Sequence, residues 1–75
     1  MISCKEFLNK IKFSGKFNHK NIIIYYYDRI KKHLIPIKYS ELALDSDYFI
    51  IGGKTIPLYR IREIRNENII IWKRP

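Results

Sequence analysis

The sequence predicts an α+β domain in which one N-terminal helix packs on a strongly bent antiparallel sheet of about five strands, a sheet that could close into a small open barrel. Three observations carry this expectation. The first dozen residues put their apolar side chains on one helical stripe, short β-branched and aromatic runs then alternate with turn-forming clusters, and in the last third apolar residues alternate with arginines. No linker, repeat or low-complexity stretch divides the 75 residues, so the whole of 1–75 is expected to be one domain, near the lower size limit for folding without staples.

Ser3-Cys4-Lys5-Glu6 has the Ser-x-x-Glu form of a capping box, with Ile2 and Phe7 placed as the hydrophobic staple around it, so a helix should start at Cys4. Cys4, Phe7, Leu8 and Ile11 share one face, Lys5, Asn9, Lys10 and Lys12 face water, and Gly15 ends the helix. A polar connection follows, in which His19 is expected to be exposed. The run from Asn21 to Tyr27 can be buried on both faces and reads as the central strand. Its three tyrosines suit a core, with base stacking as the alternative.

The charged turn Asp28-Arg29-Ile30-Lys31-Lys32-His33 returns the chain into a strand from Leu34 to Lys38, which Pro36, lacking an amide donor, either places at an edge or makes bulge. Ser40-Glu41-Leu42-Ala43 predicts a single capped helical turn. Asp47 to Ile51 and Lys54 to Leu58 form a hairpin about Gly52-Gly53, because glycines accept the positive φ angles of a two-residue primed turn. Ile56 and Leu58 keep the spacing of a half-buried strand, but Ile61 and Ile64 each follow at three, which implies a helical turn over Tyr59 to Arg62. A short strand then reaches the Asn66-Glu67-Asn68 corner, and Ile69 to Ile71 with Trp72 return as the last strand. Arg60, Arg62 and Arg65 are left on the wet side of this corner.

Fifteen Lys and Arg against seven Asp and Glu give a net charge of +8, a surface that attracts polyanions such as RNA, DNA or anionic lipid. The single Cys4 excludes an internal disulfide and a cysteine-based zinc site. No apolar run approaches the roughly 18 residues of a spanning helix and no signal-peptide core is present, so a cytoplasmic protein off the membrane is expected. Catalytic constellations are not assembled: Asp45 and Asp47 read as caps, His19 and His33 sit on separate loops, and Gly52-Gly53 has no following helix to make a phosphate loop. No metal or other cofactor is called for.

What the sequence does offer is a basic and aromatic set: Arg29, Lys54, Tyr59, Arg60, Arg62, Arg65, Trp72, Lys73 and Arg74. Arginine forks match phosphate oxygens and aromatic faces accept unstacked bases, so the set suits a single-stranded RNA terminus better than a duplex. For Arg29 the alternative is an ion pair with Asp28 or Glu41, and for Trp72 it is the core.

The order Ile56-Pro57-Leu58-Tyr59-Arg60-Ile61-Arg62-Glu63-Ile64-Arg65, a short turn, then Ile71-Trp72-Lys73-Arg74, resembles the signature of a small, mostly archaeal family described as the RNA cyclic-group end recognition domain. The resemblance extends to Leu8-Asn9-Lys10-Ile11-Lys12-Phe13 and Tyr27-Asp28-Arg29, and so covers nearly the whole chain. It implies a stand-alone copy of a module elsewhere joined to RNA ligase-like or phosphodiesterase-like domains. The function it implies is non-catalytic RNA binding with recognition of a processed end, a terminal cyclic phosphate, and with an RNA-processing protein as candidate partner. The family usually carries His between the residue after proline and the arginine, where this chain has Tyr59. Two other functions stay open: an RNA-end-processing enzyme, and a basic adaptor that binds an acidic protein or a ribonucleoprotein.

Overall fold

A computed structural model describes residues 3–74 and shows an α+β fold. Helix α1 (Cys4–Ser14) is capped as its sequence requires: the Ser3 hydroxyl accepts the Glu6 amide at 3.2 Å, and Gly15 closes the helix at φ +70°. A cap of this kind contributes about 1 kcal/mol. Ile2, one half of the expected staple, lies outside the described residues.

Seven strands follow: β1 (Ile22–Asp28), β2 (His33–Lys38), β3 (Ala43–Leu44), β4 (Tyr48–Ile51), β5 (Lys54–Pro57), β6 (Ile61–Asn66) and β7 (Ile69–Lys73). They form two antiparallel sheets, ordered β2-β1-β6-β7 and β3-β4-β5, instead of one bent sheet, and they do not close into a barrel. The reason is local. β5 ends at Pro57, which has no amide to continue a ladder, and a 3-10 turn over Leu58–Arg60 swings the chain away before β6 begins.

β1 is the central strand of the larger sheet, flanked by β2 and β6. Its burial alternates: Ile22, Ile24 and Tyr26 face α1 and are buried, whereas Ile23, Tyr25 and Tyr27 on the other face are only half-buried. The expectation of burial on both faces fails because α1 covers one side alone. The core joins Leu8 and Ile11 of the helix to Ile22, Ile24, Ile61 and Ile64, and Phe49 bridges from the second sheet through an edge-on contact with Tyr26, centroids 5.7 Å apart.

Of the two three-residue steps, Leu58 to Ile61 is the expected helical turn, a 3-10 turn over Leu58–Arg60, whereas Ile61 to Ile64 is a β-bulge. Tyr25 lies opposite Glu63 and Tyr26 opposite Ile61, so Arg62 is the extra residue, and both isoleucines point inward across it. A second bulge pairs Ile64 with Trp72 and Arg65 with Ile70, making Ile71 the extra residue on β7. Bulges increase local twist and bend this sheet.

The corner before β7 takes its positive φ angles at Glu67 (+52°) and Asn68 (+71°). Glu67 tolerates that conformation because Asn21 grips it twice: the Glu67 amide donates to the Asn21 carbonyl at 3.2 Å and the Asn21 side chain donates to Oε1 at 3.0 Å. The expected helical turn at Ser40 is a 3-10 turn over Tyr39–Glu41 without a side-chain cap, followed by β3. His19 is not a free loop residue: it is half-buried, its Nε2 donates to the Ile11 carbonyl at 3.0 Å, and its ring meets Tyr39 edge-on.

Gly52 and Gly53 stand at φ +56° and +78°, both positive as a primed two-residue turn demands. Gly53→Val should cost well over about 1 kcal/mol in denaturant unfolding, because a β-branched residue is strained there; an unchanged midpoint would contradict the turn. Burial pushes the Cys4 thiol from 9.0 up to about 11, with Arg74 pulling weakly the other way. Above pH 9.0 the unfolded thiol ionises while the folded one stays neutral, so stability should fall from pH 9.0 to about 11. Burial raises Tyr26 and Tyr39 in the same direction from 10.0. Cys4→Ala should therefore flatten, but not abolish, the alkaline slope of stability against pH.

Candidate nucleic-acid interface

Past the end of β1 the two sheets part, leaving an open cleft of about 790 Å³ between the β1–β2 turn and β5. Arg29 from that turn, Lys54 from the start of β5 and Arg60 from the 3-10 turn all line it. None of the three takes part in an ion pair among the described residues. Asp28 also lines the cleft, but its carboxylate is occupied by its own turn, accepting the amides of Ile30 at 2.8 Å and Lys31 at 3.0 Å. The Lys31 amide bond, helped by that of Ile30 and by the charges of Lys31 and Lys54, holds this carboxyl below its usual value against a partial loss of solvent. The ion pair of Arg29 with Asp28 or Glu41 does not form. Three cations against one satisfied carboxylate leave the cleft net positive, and an anion there relieves their mutual repulsion.

A second group lies on the face of the larger sheet turned away from α1. Strand register sets Pro36, Tyr25, Glu63 and Lys73 in one row across this face, and Lys38, Ile23, Arg65 and Ile70 in the next. The Arg65 guanidinium stands 4.5 Å from the Tyr25 ring centre and bonds Glu63 Oε1 at 2.6 Å. Glu63 is only 6% exposed, so its charge is tolerated because Arg65 pairs with it. Arg62, lifted out by the bulge, stands 5.8 Å from the Tyr27 ring centre.

The remaining members of the predicted set are dispersed. Trp72 is 7% exposed within the core, with the Arg74 guanidinium 5.2 Å from its ring centre. Arg74 is engaged by the backbone: Nε donates to the Ile61 carbonyl at 2.9 Å and Nη2 to the Leu58 carbonyl at 3.2 Å. Lys73 is exposed on β7. Tyr59 is 63% exposed, carries Arg60 over its ring at 5.6 Å, and does not line the cleft.

Sequence reasoning does not single out Glu63, whose signal is being the lone acid within Arg60 to Arg65; strand alternation does set Tyr25 and Tyr27 on the face opposite Tyr26, without telling which of the two faces is covered. Asp45 caps the Ser46 amide at 2.7 Å, and Asp47 approaches Lys5 at 3.6 Å. Among the described residues no three His, Cys, Asp or Glu side chains cluster as a metal site, and no helix is long and apolar enough to cross a membrane.

Fold and surface together define a small basic α+β domain with an open cationic cleft beside an aromatic sheet face. The family model described as the MJ1316 RNA cyclic group end recognition domain matches residues 1–74, and the chain belongs to that family. It is similar to a UPF0248 protein of Pyrococcus abyssi, 35% identical over 92% of this chain and 86% of the relative, and to one of Pyrococcus furiosus, 34% identical over 95% and 87%. A UPF0248 protein of Thermococcus onnurineus is also 34% identical, over 95% of this chain and 84% of its own. These names state no activity. No solved structure matches the chain.

Arg74→Ala removes two bonds to part-buried carbonyls and should cost about 2 kcal/mol of stability in thermal or denaturant unfolding. A neutral result would show that the terminal strand holds without this clamp.

Proposed function

We propose that this domain is a non-catalytic RNA-binding module that holds the processed end of a single strand, with a terminal phosphate seated among Arg29, Lys54 and Arg60. The observation that carries the reading is the convergence of those three cations, from three separate segments, on one open cleft without an ion-pair partner among the described residues. Guanidinium forks at Arg29 and Arg60 suit a bidentate grip on phosphate oxygens, and Lys54 adds a compact point charge. The description of the family supports a cyclic phosphate as the form of that end. Arg62, exposed beside Tyr27, would take the next phosphate along the strand.

Two neutralised phosphates, the terminal one and the next, set a slope of about −1.4 for log affinity against log salt, since each contributes about −0.7 for a single strand. Arg60→Ala and Arg29→Ala should each weaken binding by about 1 to 3 kcal/mol and make that slope shallower while leaving the melting temperature unchanged. Lys12→Ala, on the exposed face of α1, is the control. Short oligoribonucleotides ending in a cyclic phosphate, an open phosphate or a hydroxyl supply the readout. Equal affinity for all three would remove end recognition, an equal loss in all three variants would mean diffuse attraction without a site, and turnover of the cyclic phosphate would make the domain an enzyme.

A further inference from the structure

The outer face of β1 and β6 carries two stacks of the same composition, each a tyrosine under an arginine: Tyr27 with Arg62 at 5.8 Å and Tyr25 with Arg65 at 4.5 Å. The rings lie two residues apart on one strand, which sets them about 6.6 Å apart along it, about two base thicknesses. Successive bases of one strand can therefore lie flat on successive stacks only if they are splayed apart, the conformation in which single-stranded RNA is read by aromatic rings and guanidinium planes. Tyr27 belongs to both regions, since it lines the cationic cleft and carries the first stack.

We propose that this face is a two-base platform for the same RNA strand, the terminal nucleobase on Tyr27 and Arg62 and the preceding one on Tyr25 and Arg65, a reading that rests on the phosphate site proposed above. Three further features fit this occupant. α1 covers the opposite face, so both tyrosines stay half exposed. Lys38 and Lys73 flank the stacks, and the carboxylate beside them, Glu63, is buried and paired, so the face complements a polyanion. Glu63 also fixes the Arg65 guanidinium over Tyr25 at 2.6 Å, so this stack is ordered in advance and loses little freedom on binding. Because that pair is already neutral, Arg65 serves the base and not a phosphate.

The test is equilibrium binding of short oligoribonucleotides with a terminal phosphate, with either of the last two bases intact or replaced by an abasic ribose. Each abasic replacement should weaken binding by about five- to a hundredfold without changing the salt slope, since stacking involves no counterion release. Tyr27→Leu should reproduce the loss for the last base and become indifferent to its removal; Tyr25→Leu should do so for the base before it. Tyr27→Phe and Tyr25→Phe, which keep the ring, should bind as the parent does. Should a leucine variant fold poorly, the abasic series on the unaltered protein still decides. Abasic and intact oligonucleotides binding equally, with the terminal phosphate still required, overturns the platform and leaves the cleft reading standing. Base-dependent binding that ignores the terminal phosphate overturns the cleft reading instead. Leucine variants that weaken intact and abasic strands alike also overturn the platform and assign the face to a structural or protein-binding role.

Discussion

The turn from Pro57 to Ile61 is the constraint on which the other features depend. Proline ends β5, Leu58 sinks into the core, and Ile61 opens β6 fully buried, so within four residues the chain leaves one sheet and enters the other. This break parts the two sheets and opens the cleft, and it carries Arg60 to the cleft's lining. The chain's far end secures it: Arg74 bonds the carbonyls of Leu58 and Ile61, and its own amide donates to Arg62. A residue that reads in sequence as one more surface cation thus closes the fold around the turn that lines the cleft.

The cations are consequently not equivalent. Charge counting treats fifteen Lys and Arg as one field, and at long range that field steers any polyanion toward the surface. At contact range the arginines divide by what already occupies them. Arg74 is engaged by backbone carbonyls, Arg65 is neutralised by Glu63, and Arg62 lies over a tyrosine while exposed to solvent. Arg29, Lys54 and Arg60 lack an ion-pair partner among the described residues, and they share one cleft. Many surface lysines equally lack an ion pair among the described residues, so what sets these three apart is that they converge on one concave site.

The bulge at Arg62 shows how a small irregularity serves both core and surface. By inserting one residue opposite the Tyr25–Tyr26 step, it keeps Ile61 and Ile64 pointing inward while turning Arg62 out toward Tyr27. A regular strand would put residues three apart on opposite faces, so one isoleucine would leave the core. The tyrosine–arginine face and the cleft meet at Tyr27, which belongs to both.

The sequence by itself determined whatever depends on neighbours along the chain. The Ser3 cap and the Gly15 stop of α1, the edge position of the Pro36 strand, the primed turn at Gly52-Gly53 and the identity of β1 as a central strand all rest on local sterics, hydrogen bonding or hydrophobic spacing, and all were legible. Tertiary structure decided what depends on which surfaces meet. A three-residue spacing of isoleucines reads equally as a helical turn or as a bulged strand, and only the partner strand β1, by leaving Arg62 unopposed, selects the bulge. Separation into two sheets, the pairing of Glu63 with Arg65 and the withdrawal of Arg74 and Trp72 into the packing share the same cause. A side chain's charge is written in the sequence, but whether that charge is free depends on groups brought beside it from distant parts of the chain.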